Sequence, residues 1–177
     1  YISEDQANSI DLTWDSVEEN SPSEFFINQS FGQQTVINGG DRIIFPVSKA
    51  IDEIDSKMSI DFWFLPVEES GGYLDVLFNV NDSKNKLYYH TDGYFAIKWA
   101  DSEYMYTDPV HQNKKTWDWK HVAITHDGTN LKIIFNGQQI FSRELDFSKI
   151  EHSIHLQNLD KYYYDNFRVW SQAKNFT

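Results

Sequence analysis

The chain contains no cysteine. That excludes disulfide staples, thiolate nucleophiles and zinc–cysteine sites, and it leaves the compartment open. Glycine (8) and proline (4) are scarce among 177 residues, which argues against collagen-like and disordered chains. Basic residues are also few: 15 Lys and Arg stand against 27 Asp and Glu, for a formal charge of −12. Nucleic acid is therefore not an expected partner, because neutralising phosphates needs clustered Lys and Arg. No apolar run approaches the roughly 18–20 residues that cross a bilayer as a helix, so no membrane insertion is expected. No leader pattern is legible in the residues given. The acidic balance is compatible with cation binding and with secretion.

What is abundant is aromatic side chain, 16% of the chain with 13 Phe, 10 Tyr and 6 Trp. Aromatics favour strands. The most informative stretch runs from Trp117 to Leu145. Asp127-Gly128 and Asn136-Gly137 divide it into three apolar runs, the strongest short-range hairpin signal. A two-residue turn at Asn136-Gly137 sets Phe135 opposite Gln138, Ile133 opposite Ile140 and Leu131 opposite Ser142. An even slip at the other turn leaves parity unchanged, because side chains alternate with period 2. Val122, Ile124, Leu131, Ile133, Phe135 and Ile140 therefore form one expected core face. Trp119 is off parity with Val122, and a bulge is expected near Lys120.

Residues 1–23 read as a polar lead-in with a first strand, anchored by Leu12 and Trp14. Short strands follow around Phe25, Thr35 and Arg42, and residues 48–57 suggest one helical turn. Met58 to Pro66 is a clear strand, with Met58, Ile60, Phe62 and Phe64 on one face and Ser59, Asp61 and Trp63 on the other. Strands are expected over Tyr73–Val80, Leu87–His90, Tyr94–Ala100, Tyr104–Thr107, Ser153–Leu156 and Tyr162–Trp170. A dozen strands without a long helix mean one all-β domain over 1–177, an antiparallel β-sandwich or barrel.

Three motifs now fall in order. Met58 to Pro66 (MSIDFWFLP), Trp119 to Gly137 (WKHVAITHDGTNLKIIFNG) and Tyr164 to Trp170 (YDNFRVW) resemble the core strands of laminin-G-like, concanavalin A-like jelly rolls. Thr35 to Pro46 (TVINGGDRIIFP) resembles the opening strand pair of that superfamily. The resemblance covers about residues 30–172 and implies a jelly roll of two curved sheets with about 12 strands. One such fold hosts lectins, glycosidases, toxin modules and adhesion domains, so it does not fix a function.

The resemblance also implies a structural calcium, held by an Asp of the last strand and carbonyls near the opening pair. Asp165 sits at the matching position, and Gly40 and Asp41 are the nearest counterparts of the carbonyl donors. Calcium takes such hard oxygen ligands. The plainer reading pairs Asp165 with a cation or a turn amide. For sugar binding, the candidates are Trp63 with Asp61, Tyr89 with Tyr94 across the Asp92-Gly93 hairpin, Tyr104 with Tyr106, and Trp117. Aromatic faces stack on the C–H side of sugar rings while carboxylates and amides bond the hydroxyls. Packing is the competing role for each of these aromatics.

The E-x-D-x-x-E pattern of retaining glycosidases, whose carboxylates share a sheet face, is absent, and the chain is expected not to be an enzyme. The His residues form no H-E-x-x-H motif. His121 and His126, five apart, fall on opposite faces. Three Asn-x-Ser/Thr sequons, at Asn28, Asn81 and Asn175, would matter only in a eukaryotic secretory pathway. The leading expectation is a non-catalytic, lectin-like carbohydrate-binding module of a larger secreted or surface protein, recognising a glycan or cell-surface glycoprotein. The alternatives are a structural or protein-binding adhesion domain and a targeting or spacer domain of a toxin.

Overall fold

The computed structural model describes the backbone of five short strands within residues 9–46. It then describes residues 56–66, 74–80, 84–90, 92–110, 118–149, 153–157 and 162–177, with side chains except at Leu74, Asp75 and Ser153. Residues 48–55 of the expected helical turn and most of the lead-in lie outside the described residues.

The described strands form two antiparallel sheets. The strands are β1 (Ser9–Asp11), β2 (Glu18–Glu19), β3 (Phe25–Ile27), β4 (Thr35–Ile37), β5 (Arg42–Pro46), β6 (Met58–Pro66), β7 (Leu74–Val80), β8 (Asn85–His90), β9 (Phe95–Lys98), β10 (Met105–Tyr106), β11 (Lys120–His126), β12 (Asn130–Phe135), β13 (Gln138–Glu144), β14 (Ser153–Gln157) and β15 (Tyr162–Trp170). Sheet I has the order β13-β12-β11-β6-β15-β4-β3, with β1 also pairing β15. Sheet II has the order β10-β9-β8-β7-β14-β5-β2. The ten strands from β6 onward supply five to each sheet, and this is the expected all-β sandwich.

The inner faces meet in an aromatic core. Met58, Ile60, Phe62 and Phe64 of β6 are fully buried, as their shared parity requires. Phe62 meets Phe78 edge-on at 6.0 Å, and Phe64 meets Tyr89 at 5.2 Å and Phe95 at 6.4 Å. Burial of each such ring contributes about 1.5–3 kcal/mol, and edge-to-face geometry adds roughly 0.5–1.5 kcal/mol.

The Trp117–Leu145 reading holds in its faces and shifts in its register. Val122, Ile124, Leu131, Ile133 and Phe135 are all buried. The first turn centres on Gly128-Thr129, closed by Asp127 N–H donating to Asn130 O at 3.2 Å. Ile124 thus pairs with Ile133, and because the slip is even the core face is unchanged. Asn136 (φ 47°) and Gly137 (φ 79°) make the expected turn with both central residues left-handed. A bulge between Ile133 and Ile134 pairs Ile133 with Phe141 rather than with Ile140. Ile140 is only half-buried, at the core's margin. The irregularity expected near Lys120 is absent: β11 runs unbroken along β6, with Lys120 opposite Phe64. Trp119 simply precedes the strand. Lys120 occupies the inward parity instead, its ammonium donating to Asp118 O at 2.9 Å while burial pulls its pKa down.

Candidate functional site

The β8–β9 hairpin decides which tyrosines reach solvent. His90 N–H donates to Tyr94 O at 2.9 Å and Gly93 N–H to His90 O at 2.7 Å, with Gly93 at φ 89°. The connection is therefore three residues, Thr91-Asp92-Gly93, and Tyr89 pairs with Phe95. A two-residue Asp92-Gly93 turn would have put Tyr89 and Tyr94 on one face. One extra residue inverts that parity. Tyr89 points into the core, where burial raises its hydroxyl pKa, and it leaves the set of candidate contacts. Tyr88, not singled out in the sequence, takes its place on the outer face.

That outer face is a tyrosine platform. Tyr106, Ala96 and Tyr88 lie in one cross-strand row. Tyr104 flanks Lys98, whose ammonium is 5.8 Å from the Tyr104 ring centre. Tyr88 and Tyr104 meet edge-on at 5.6 Å and share a hydrogen bond between hydroxyls at 3.2 Å. Tyr94 stacks on His90 at 4.5 Å and meets Tyr106 edge-on at 6.1 Å. Ala96, at the centre, is fully covered. Tyr104 is 42% exposed and Tyr106 58%; with Trp63 at 36% they are the exposed large hydrophobic residues among those described.

The platform rests on a built loop. Asn85 is fully buried, accepts from Ala100 N–H at 2.7 Å and donates to Ser148 Oγ at 3.0 Å. Trp99 donates through Nε1 to Asp146 O at 3.1 Å. The Thr107 hydroxyl accepts from Phe95 N–H at 2.9 Å and holds the strand after Tyr106. Beside Tyr104 this leaves a groove of about 330 Å³, lined by Lys84, Lys98, Ala100, Asp101, Ser102 and Glu103.

The outer face of sheet I is closed around Asp61, while Trp63 beside it stays partly exposed. Asp61 is fully buried, and its Oδ2 accepts from Arg168 through Nε, at 3.1 Å, and through Nη2. The same oxygen lies 3.0 Å from His121 Nε2, while Oδ1 accepts from Trp170 Nε1 at 2.7 Å. Both oxygens of this carboxylate are engaged, Oδ2 by Arg168 and His121 and Oδ1 by Trp170. The segment after β15 then crosses the face. Ser59 Oγ donates to Gln172 O and accepts from Lys174 N–H, both at 2.9 Å. Trp63 packs on His121 at 5.1 Å, and Phe176 lies 5.8 Å from that same imidazole. So Asp61 and Trp63 sit on the sheet opposite to Tyr94, Tyr104 and Tyr106, and the two groups cannot form one site. Trp117, Gly40 and Asp41 lie outside the described residues.

Asp165 pairs with Trp63 across β6, ahead of a bulge in which Asn166 adopts φ 50°. Its Oδ1 accepts the Asn166 N–H at 2.8 Å, the turn-amide contact of the plainer reading, and burial raises its pKa. Among the described residues no group of three or more Asp, Glu or His converges as a metal cluster. Asp165 alone fits as one hard oxygen donor.

Two antiparallel sheets packed face to face around one aromatic core define a jelly-roll β-sandwich. A family description, the concanavalin A-like lectin/glucanases superfamily, matches residues 37–175, and the chain belongs to that family. No curated protein sequence matches it. Among solved structures, the chain is similar to the binding domain of botulinum neurotoxin DC in complex with SialylT, with TM-score 0.66 and 16% identity over 90% of this chain and 43% of that one. The same neurotoxin domain in complex with rat synaptotagmin II gives TM-score 0.63 and 15% identity over 90% and 43%. Domain 4 of an extracellular arabinanase from Geobacillus stearothermophilus, in complex with arabinotriose, gives 0.61 and 18% over 89% and 79%. The chain thus spans under half of the neurotoxin binding domains and most of the arabinanase domain. At these identities the likeness is one of fold.

Proposed function

We propose that this domain is a non-catalytic carbohydrate-binding module of a larger secreted or surface protein, and that it binds sugar on the β8–β9–β10 platform. The observation that carries the reading is the exposure of Tyr104 and Tyr106 on one sheet face around a covered Ala96. Exposed aromatics grouped on a soluble domain mark interaction surfaces. Tyrosines give rigid contact area at low entropy cost, and their hydroxyls add hydrogen bonds. Asp101, Ser102 and Glu103 line the neighbouring groove as partners for sugar hydroxyls. Two similar structures carrying sugar ligands by name support the reading. Asp61, engaged by three partners on sheet I, is not available to bond sugar hydroxyls, which leaves sheet II to carry the binding. The similar domain in complex with synaptotagmin II favours a second reading, in which the partner is a protein.

A glycan array followed by calorimetry on the hits, with Tyr104→Ala and Tyr106→Ala beside the parent protein, separates the two. Binding that collapses in both variants supports the sugar reading. No glycan binding at all, or hits indifferent to both substitutions, removes it. The proposal includes calcium as a stabiliser, with Asp165 contributing the carboxylate and Gly40 and Asp41 the carbonyl donors that the family resemblance implies.

A further inference from the structure

The tyrosine platform carries an unusual charge arrangement for so acidic a chain. Lys86 and Lys98 are direct cross-strand partners, on the same outer face as Tyr88, Ala96 and Tyr106. Like charges directly opposite each other in a sheet are destabilising. Both side chains are half-buried, which adds a desolvation cost. Among the described residues neither lysine has a carboxylate within ion-pairing distance, although the chain has 27 acidic residues against 15 basic. Nearby Asp101 faces Lys84 instead, at 4.0 Å. The Lys98 ammonium leans over Tyr104, so one end of the pair adjoins the aromatic surface.

We infer that the Lys86–Lys98 pair is an anion subsite and that the glycan bound on this platform is acidic, carrying a carboxylate or a sulfate ester. This rests on the carbohydrate-binding reading and narrows it. The ring of the sugar then lies on Tyr104 and Tyr106, with its anionic substituent toward the Lys86–Lys98 pair. Anion binding relieves the lysine–lysine repulsion and supplies charge-assisted hydrogen bonds, which are stronger than neutral ones. Specificity follows from the reverse case. A neutral sugar leaves the two lysines unmatched, and a net charge of −12 disfavours non-specific binding of acidic sugars to the rest of the domain.

The test is an array printed with neutral, uronate-bearing, sialylated and sulfated oligosaccharides, probed with the parent protein, Lys86→Gln/Lys98→Gln and Tyr106→Ala. The expected result is binding concentrated among acidic glycans, reduced roughly tenfold in the double lysine variant. The uronate, sialyl and sulfate spots then tell a carboxylate from a sulfate ligand. The same double variant, free of ligand, melts about 1–2 °C higher because the repulsion is gone. That gain distinguishes a site from a pair kept for stability. Hits spread evenly over neutral and acidic sugars, or acidic hits insensitive to the lysines, overturn the inference and leave the carbohydrate reading standing. An array with no hits overturns both.

Discussion

The two outer faces of this sandwich are built from similar residue types and end in opposite states. Each carries aromatics and charged groups at outward parity. On sheet I, Asp61, His121, Arg168 and Trp170 satisfy one another, and the segment after β15 lies over them. On sheet II, Tyr88, Tyr94, Tyr104 and Tyr106 meet mainly one another, while Lys86 and Lys98 face off across the strands. A charge matched inside the fold makes structure, whereas one left unmatched on an aromatic face is available to a ligand. The contrast separates two exposed aromatics: Trp63 packs on His121 beside a satisfied carboxylate, whereas Tyr106 stands in the row next to the unmatched lysines.

The largest expected effect breaks the closed face. Asp61→Leu leaves Arg168 and the Trp170 N–H without their acceptor, and breaking such a buried pair costs about 3 kcal/mol or more. A denaturant titration is expected to show this loss; a change below about 1 kcal/mol would mean that the face is not held by that carboxylate. The open face should behave inversely. Tyr106→Ala is expected to weaken glycan binding by roughly tenfold or more, as for an interface anchor. Its stability should stay within about 0.5 kcal/mol of the parent, because the side chain is mostly exposed. Calorimetry and a melt on the same sample check both halves, and a large drop in melting temperature would place Tyr106 with the structural residues.

Two smaller effects sharpen the comparison further. Gly137→Ala puts a side chain at φ 79°, at the hairpin tip where the added Cβ meets Phe176 O at an ordinary 3.8 Å. The cost is therefore conformational, about 1 kcal/mol. A loss near 3 kcal/mol would show that the final segment is pinned at this tip.

Asp165 gives the smallest effect and one whose sign is informative. Burial raises its folded pKa, so its contribution to stability is greatest below the usual carboxylate range and is lost as pH rises through the folded value. At neutral pH without metal, Asp165→Asn should raise the melting temperature by a degree or two. If calcium is held there, the parent protein melts higher with calcium than with chelator, by mass action. The Asn variant then loses most of that gain. Identical melts of the parent with calcium and with chelator would remove the metal from the proposal.

Much of the scaffold was legible because its signals are local. The alternation in Met58–Phe64 fixed a buried face, and left-handed geometry at Asn136-Gly137 fixed a turn. An even slip at Gly128-Thr129 could not change which side chains point inward. The candidate site was less legible for the complementary reason. A one-residue difference in the Thr91–Gly93 loop exchanged Tyr89 for Tyr88, and nothing in Asp92-Gly93 alone distinguishes a two-residue loop from a three-residue one. The pairing of Lys86 with Lys98 follows from that same register.

The sequence by itself determined most of the strand pattern, the inner faces of β6, β11 and β12, and the family, because periodicity and turn chemistry act over a few residues. Only the tertiary structure decided that Asp61 is sealed and that Tyr88, Tyr104 and Tyr106 form one platform. Asp61 meets Arg168 and Trp170 from more than a hundred positions away, and the platform depends on a loop length and three strand registers at once. Contacts of that range are set by how the sheets close on each other, which no local pattern encodes.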